Sequence, residues 1–255
     1  MTEIQLLHVA AMASALLLAV AMHLVHRLHG QAPGVAAWRS GSLLMAAGLC
    51  LVALRGQIPD LLSIVLANGL TAWGMGRVHR GFREALGLPA GRTEERALAG
   101  VVAAWCLWHG VIDPSITERI RGLSVAYAWI SVRVVQACWS PAARTDLDRR
   151  TWWAVGAAVL GAGLMQVARA ITFPDLPPGQ SYLSVRAPVE HLVLALAILH
   201  NLALMLGLTY VSAHRVVRDL RDSGDALRAA QADLRRHNED LERTVAQRTG
   251  ELAGA

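Results

Sequence analysis

The chain contains no lysine, and all 24 of its basic residues are arginine. With the abundance of alanine this is a compositional bias, and no mechanism is attached to it. Charge of either sign is scarce. Charged residues make up 17% of the chain, against about 25% in soluble domains. Hydrophobic residues reach 54%, so an ordinary soluble domain is excluded. Cysteine is limited to Cys50, Cys106 and Cys138, all in or at the ends of apolar stretches. That excludes a disulfide framework and fits small buried packing residues. The net charge of +5 raises the question of nucleic acid. The arginines instead lie beside apolar segments or in a charge-balanced tail, so no nucleic-acid partner is expected.

What is present is a series of seven apolar stretches. They run over residues 4–25, 36–54, 61–76, 97–112, 122–138, 151–171 and 189–212. A membrane-spanning helix needs ~20 mostly apolar residues, and the two shortest stretches, the third and fourth, require local thinning or snorkelling of flanking residues. A strand reading fails because the runs are too long and do not alternate. The expected fold is all-α: a polytopic bundle of seven transmembrane helices over residues 1–212, followed by a cytoplasmic coiled-coil helix over residues 213–255.

Arginine placement sets the expected orientation, because cytoplasmic loops carry the excess. The first, third and fifth connectors with their flanks hold Arg27, Arg39, Arg77, Arg80, Arg83, Arg92, Arg96, Arg144, Arg149 and Arg150. Those of opposite parity hold Arg55, Arg119, Arg121 and Arg186. The amino terminus is therefore expected outside and the tail inside, in a bacterial inner membrane. Trp38, Trp139, Trp152 and Trp153 fall at the inner boundaries, where indole rings favour the headgroup region. Ala13, Ser14 and Ala15 imitate a signal-peptide cleavage site. A signal peptide carries its positive charge before the apolar run, and here Glu3 precedes it while Arg27 follows. The first helix is thus read as uncleaved. The longest outer connector, 173–188, contains Pro174, Pro177, Pro178 and Gly179, which leaves no place for a globular outer domain.

The tail has a different pattern. Leu220, Leu227, Leu234 and Leu241 recur every seven residues. As d positions they place Val217, Gly224, Gln231, Asn238, Val245 and Leu252 at a. From Arg215 onward eight arginines face eight carboxylates. This is the pattern of a parallel coiled coil, with Asn238 favouring a two-stranded register. Gly224 weakens the helix by ~1 kcal/mol relative to alanine. A lone solvated amphipathic helix is the alternative, since only one heptad position is consistently apolar.

The stretch from Glu239 to Leu252, EDLERTVAQRTGEL, resembles the LExxVxxRTxEL linker helix that precedes output domains in bacterial sensor histidine kinases and diguanylate cyclases. The segments LRGQIPD (54–60), SIVLAN (63–68) and GFR (81–83) are similar to the multi-pass amino-terminal region of diguanylate cyclases of the GGDEF type. The resemblance implies a sensor region joined to a catalytic partner. The chain departs from those families where chemistry would reside. It has no phosphoacceptor-histidine motif in the tail, no ATP-binding Asn box, no GGDEF or GGEEF and no EAL. It is not expected to be an enzyme itself, and its end is read as the point where an output domain would follow.

Polar groups within apolar spans are costly and default to functional candidates. Glu190, His191, Arg169, His109, His8, Arg55 and Asp60 all map to the outer third of the expected bundle. Together they suggest a polar cavity for a ligand, proton or metal. Snorkelling boundary residues, with Glu190 paired to Arg169, is the competing reading. His23 and His26 share a helix face, a spacing that could suit haem or metal ligation, and His29 repeats it beyond the expected helix end. No carboxylate or cysteine accompanies them, so no metal or cofactor is expected. His200 and Asn201 suit an interhelical hydrogen bond. Asn68, Arg133 and Gln136 also lie within spans, and Arg133 requires a partner or water. Arg144, Arg149 and Arg150 with Asp146 and Asp148 read as a solvated loop.

These features point to the sensory input module of a signalling protein. It would relay a stimulus through the seventh helix and a dimeric coiled coil built on Leu220, Leu227, Leu234, Asn238, Leu241 and Val245. The expected partners are the lipid bilayer, a second copy of the chain and a downstream output domain. A transporter or membrane enzyme with an oligomerisation helix is the alternative. It lacks support from internal repeats, broken helices or a catalytic cluster.

Overall fold

The computed structural model describes residues 3–30, 32–143, 148–177 and 188–253. Among these residues the chain is all-helical, with no strand. The elements are α1 (Glu3–His29), α2 (Val35–Ala53), α3 (Ala67–Ala85), α4 (Arg92–Leu107), α5 (Ile116–Cys138), α6 (Arg149–Thr172) and α7 (Pro188–Ala253). A π-helical segment, Leu61–Leu66, leads into α3, and a second, Trp108–Ile112, ends α4. Two compact units are present, Met1–Ser212 and Ala213–Ala255. Among the described residues five helices are long and apolar enough to cross a membrane: Gln5–His29, Val35–Ala53, Leu61–Ala85, Arg149–Thr172 and Glu190–Gln247.

Several helices overrun their apolar stretches: α1 runs on to His29, expected beyond the helix end, and α4 starts at Arg92, so that Arg92 and Arg96 are helical and not loop residues. The third apolar stretch ends at Gly76, yet its helix continues to Ala85. Arg77, Arg80 and Arg83 are therefore helical side chains and not loop residues. The fifth stretch begins at Gly122, but α5 starts at Ile116. Ser115 caps it by accepting a hydrogen bond from the Glu118 N–H at 3.3 Å, a Ser-x-x-Glu start. Arg119 and Arg121 thereby join the first turns of the helix. Neither α4 nor α5 is among the five apolar spans. The α part of α4 has only 16 residues, and its first turn carries Glu94 and Glu95. Glu118, Arg119, Arg121 and Arg133 interrupt α5. Both nonetheless turn apolar residues outward, Val101, Trp105 and Trp108 on one and Val125, Trp129 and Val132 on the other.

Close backbone approach organises the first half of the first unit. Gly34, Gly41 and Gly48 recur every seven residues. A Cβ on Gly41 would stand 2.7 Å from the Gly74 carbonyl oxygen, and one on Gly74 would stand 2.6 Å from that of Gly41. Only glycine at both positions lets α2 and α3 meet so closely, the packing mode of small residues between membrane helices. Gly34 begins this contact in the left-handed region, at φ +89°, where a side chain is strained.

The apolar core at the end of the bundle holding the α1–α2, α3–α4 and α5–α6 connections is aromatic. Trp38, Phe82 and Trp152 are fully buried. Trp38 and Phe82 meet edge-on with ring centroids 5.8 Å apart, and Phe82 and Trp152 do so at 6.2 Å. This corrects the reading of Trp38 and Trp152 as headgroup anchors: both fill the core that α2, α3 and α6 share. Trp153 remains half exposed and stacks on Trp139 at 5.3 Å.

The second unit is solvated along its length. Arg228 pairs with Asp225 at 2.7 Å and Arg243 with Asp240 at 2.9 Å, i,i+3 pairs that each support a helix by ~0.2–0.5 kcal/mol. Leu220, Leu227, Leu234, Leu241 and Val245 are all at least half exposed.

Candidate functional site

Three arginines converge at the end of the bundle opposite the buried tryptophans. Arg55 lies in the turn after α2. That turn is closed by the Gln57 N–H donating to the Leu54 carbonyl at 2.9 Å. Its Nη2 donates to the Ser63 carbonyl at 2.8 Å, within the first π-helical segment. π turns widen a helix locally and often mark functional positions. Arg119, buried, stands one turn into α5. Arg169, also buried, is in the last turn of α6. It grips Glu190, in the first turn of α7, through two parallel hydrogen bonds: Nε to Oε2 at 2.9 Å and Nη2 to Oε1 at 2.5 Å. Glu190 is 0% exposed. Each charge also sits at the favourable end of its helix dipole, the carboxylate at an N-terminus and the guanidinium at a C-terminus. The forked, dry geometry is the strong form of the interaction. It joins α6 to α7 across the connection between them.

Beside this pair lies a cavity of about 560 Å³ within the first unit, walled by α1, α2, α3, α5, α6 and α7. Its arginine end holds His8, Arg55, Arg119 and Arg169. Deeper, the wall turns apolar through Met45, Leu49, Leu123, Met165, Val193 and Leu196. Among the described residues no carboxylate lines it. Several polar side chains in the wall bond to their own helices: Asn68 to the Ile64 carbonyl at 2.7 Å, Thr71 to that of Ala67 at 2.9 Å, and Ser131 to that of Tyr127 at 2.9 Å. Their polarity is turned away from the lumen. Gln166 is different, because its buried Oε1 has no hydrogen-bond partner among the described residues.

The seven outer polar residues singled out from sequence thus separate. His8, Arg55 and Arg169 line the cavity. Glu190 stands behind Arg169, bonded to it, and does not line the wall. His191 and His109 do not line it either. His109 sits on the second π-helical segment with its ring 4.5 Å from that of Trp105. Asp60 is exposed at the turn. His200 and Asn201 do line the cavity, and Asn201 makes the expected interhelical bond, its Nδ2 donating to Ser14 Oγ on α1 at 3.0 Å.

Sequence reasoning missed Arg119 as a site residue because it counted the residue as loop. The Ser-x-x-Glu cap at Ser115 was the signal that would have placed it on the helix. It also missed a polar network toward the other end of the bundle. Glu95, buried, receives Trp73 Nε1 at 2.8 Å and Arg80 Nη1 at 3.1 Å. Arg77 lies 3.5 Å from the same carboxylate and donates from Nε to Ser40 Oγ at 2.7 Å. Arg133 finds its partners in Glu94, at 2.6 Å, and Gln136, at 2.6 Å. These bonds link α2, α3, α4 and α5. Opposite charges in successive stretches, Arg77 and Arg80 against Glu94 and Glu95, were the available clue.

Among the described residues no group of three or more His, Cys, Asp or Glu side chains is placed to hold a metal ion. Comparison with protein-family models, with curated proteins and with solved structures returns no match.

Proposed function

We propose that the chain is the transmembrane input module of a signalling protein, in which occupancy of the cavity biases α7 and the tail relays that bias to a cytoplasmic output domain. One observation carries this reading. Val193, Leu196, Ala197, His200 and Asn201 of α7 form part of the cavity wall, and the same helix, Pro188–Ala253, bears the leucine heptad. Whatever fills the cavity touches the relay element directly. Signalling requires two arrangements of that element that the occupant stabilises unequally.

The finer topology belongs to the same proposal: seven spans, amino terminus outside, tail in the cytoplasm of a bacterium. The outward apolar residues of α4 and α5 support their counting as spans. Two of their charge pairs, Glu95 with Arg80 and the partly buried Glu94 with Arg133, are of the kind that intramembrane charges require. The exposed heptad leucines support a parallel dimer as the form in which the tail works.

Disulfide trapping tests the reading. In a background lacking Cys50, Cys106 and Cys138, cysteine replacing Leu227 or Leu234 is expected to crosslink two chains efficiently. Cysteine replacing Ala229, on the opposite face of the helix, is expected to crosslink weakly. Equal crosslinking at all three positions refutes the paired tail.

A further inference from the structure

We propose that a second copy of the chain docks along the membrane half of α7, so that one leucine seam runs from Leu192 to Leu241 and the second copy closes the side of the cavity. The seam rests on the paired tail of the proposed function and carries that pairing into the bilayer. Three observations lead to it. First, the leucine repeat does not begin in the tail. Counting back in sevens from Leu220 gives Ala213, Leu206, Leu199 and Leu192, so seven of the eight d positions between 192 and 241 are leucine. The a positions between the upper ones are Leu196, Ala203 and Tyr210. A seven-residue repeat slips ~20° per heptad on a straight α-helix, about 140° over seven steps. It stays on one face only where a partner helix winds with it. Contact with lipid asks for apolar residues but sets no period of seven.

Second, α7 packs on its own bundle with its other face. Its buried residues are Glu190, Val193, Asn201, Leu208, Val211 and Ser212. In the same register these are b, c, e and f positions, and among the described residues none stands at a or d. Leu192, Leu199 and Leu206 are at least half exposed, and Ala203 is exposed as well. Third, the cavity opens on the seam. Leu199 and Ala203 line it from α7 and Gly161 lines it from α6, and all three are exposed. Ala203 at an a position is small enough to let a second backbone approach, as small residues do between membrane helices. A second α7 seated there lies across the opening. Whatever fills the cavity then meets the pair of helices and not one helix alone.

Oxidation in phosphatidylcholine vesicles tests the seam. Full chains lacking the native cysteines carry one introduced cysteine each, at high dilution in lipid, and are oxidised with copper phenanthroline. Leu199→Cys and Leu206→Cys are expected to crosslink several-fold faster than Ile198→Cys and Met205→Cys, one residue away at c positions, because Cα atoms more than ~7 Å apart cannot be bridged without backbone movement. They are also expected to outpace Leu17→Cys on α1 and Leu164→Cys on α6, which are comparably exposed. Adding Leu206→Trp to the Leu199→Cys chain is expected to slow crosslinking several-fold and adding Leu164→Trp to leave it unchanged, which separates a blocked seam from a disturbed bundle. Crosslinking at Leu199 and Leu206 no faster than at Leu17 and Leu164, with Leu227→Cys still crosslinking, overturns the membrane seam and leaves the paired tail standing. Crosslinking at Leu199 that Leu206→Trp does not slow overturns the seam too. Fast crosslinking at Leu199 and Leu206 with none at Leu227 supports the seam and removes the tail pairing. No crosslinking at any of these positions overturns both.

Discussion

Removing one charge of the Arg169–Glu190 pair is expected to destabilise the bundle far more than removing both. In Glu190→Gln the guanidinium keeps its burial and loses the carboxylate that accepted two of its hydrogen bonds, at 2.9 and 2.5 Å. Breaking a buried pair costs about 3–5 kcal/mol in soluble proteins. In a membrane the unfolded reference also finds polar partners, which lowers the expected cost to roughly 2–4 kcal/mol. The double variant, Arg169→Gln with Glu190→Gln, retains an amide pair of similar shape and carries no buried charge, so its cost is expected below that of either single change. Cys106 and Cys138 provide the assay, because both thiols are buried and become reactive only when the bundle opens. The rate of alkylation is followed in dodecyl maltoside as the mole fraction of dodecyl sulfate is raised. A coupling energy of at least about 1.5 kcal/mol between the two sites is the expected result. Additive effects, or a single-variant loss below about 0.5 kcal/mol, the range of an ordinary surface change, would refute the view that this pair is a dry structural tie between α6 and α7.

Three further outcomes are expected. Gly41→Ala forces α2 from α3 and is expected to cost about 1–3 kcal/mol in the same assay, whereas Gly100→Ala, whose Cβ meets nothing within 4 Å, is expected to be neutral or to gain up to ~1 kcal/mol of helix propensity. Glu95→Gln, which strips the charge shared by Arg77 and Arg80, is expected to lose about 1–3 kcal/mol, and a loss indistinguishable from zero would place that network in solvent. Reporter fusions after Arg96 and Arg150 are expected to read cytoplasmic and those after Asp113 and Pro178 periplasmic, with a periplasmic signal after Arg96 contradicting the arginine asymmetry that sets the topology.

Helix positions were legible in the sequence because apolar length is a one-dimensional signal. Six of the seven apolar stretches fall within helical segments of the structure and the second overruns α2 by Leu54 alone, and the heptad of the tail lies on one long helix. Helix ends were less legible. Hydropathy stops at the first charged residue, but a helix need not. α3 runs past Gly76 because Arg77 and Arg80 have a carboxylate partner on α4, and α5 starts before Gly122 because Ser115 caps it. The same blindness affected the tryptophans. Position along the chain put Trp38 and Trp152 at a boundary, and only the third dimension reveals that Phe82 lies between them.

The site shows why residue type and depth together stop short of a pocket. Glu190, Arg169 and Arg55 were found because intramembrane charge is rare and conspicuous. Which of them would face the lumen depends on helix rotation, and one residue of rotation is about 100° on a helix of 3.6 residues per turn. Glu190 and Val193 are three residues apart, both buried on α7, yet only Val193 reaches the cavity wall, while the carboxylate is held by Arg169. That arrangement has a functional consequence for the proposed relay. The first turn of α7 is clamped to α6 by two charge-assisted bonds, whereas the wall residues a few turns further along contact the lumen. An occupant pushing on Leu196, Ala197 and His200 therefore acts on a helix whose start is fixed. Its effect should be tilt or rotation beyond the clamp and not a shift along the axis. Loosening the clamp by Glu190→Gln should then change how strongly cavity occupancy alters crosslinking at Leu227, with dimerisation itself retained. If occupancy of the cavity alters crosslinking at Leu227 equally with and without the clamp, the fixed-start description of α7 is wrong.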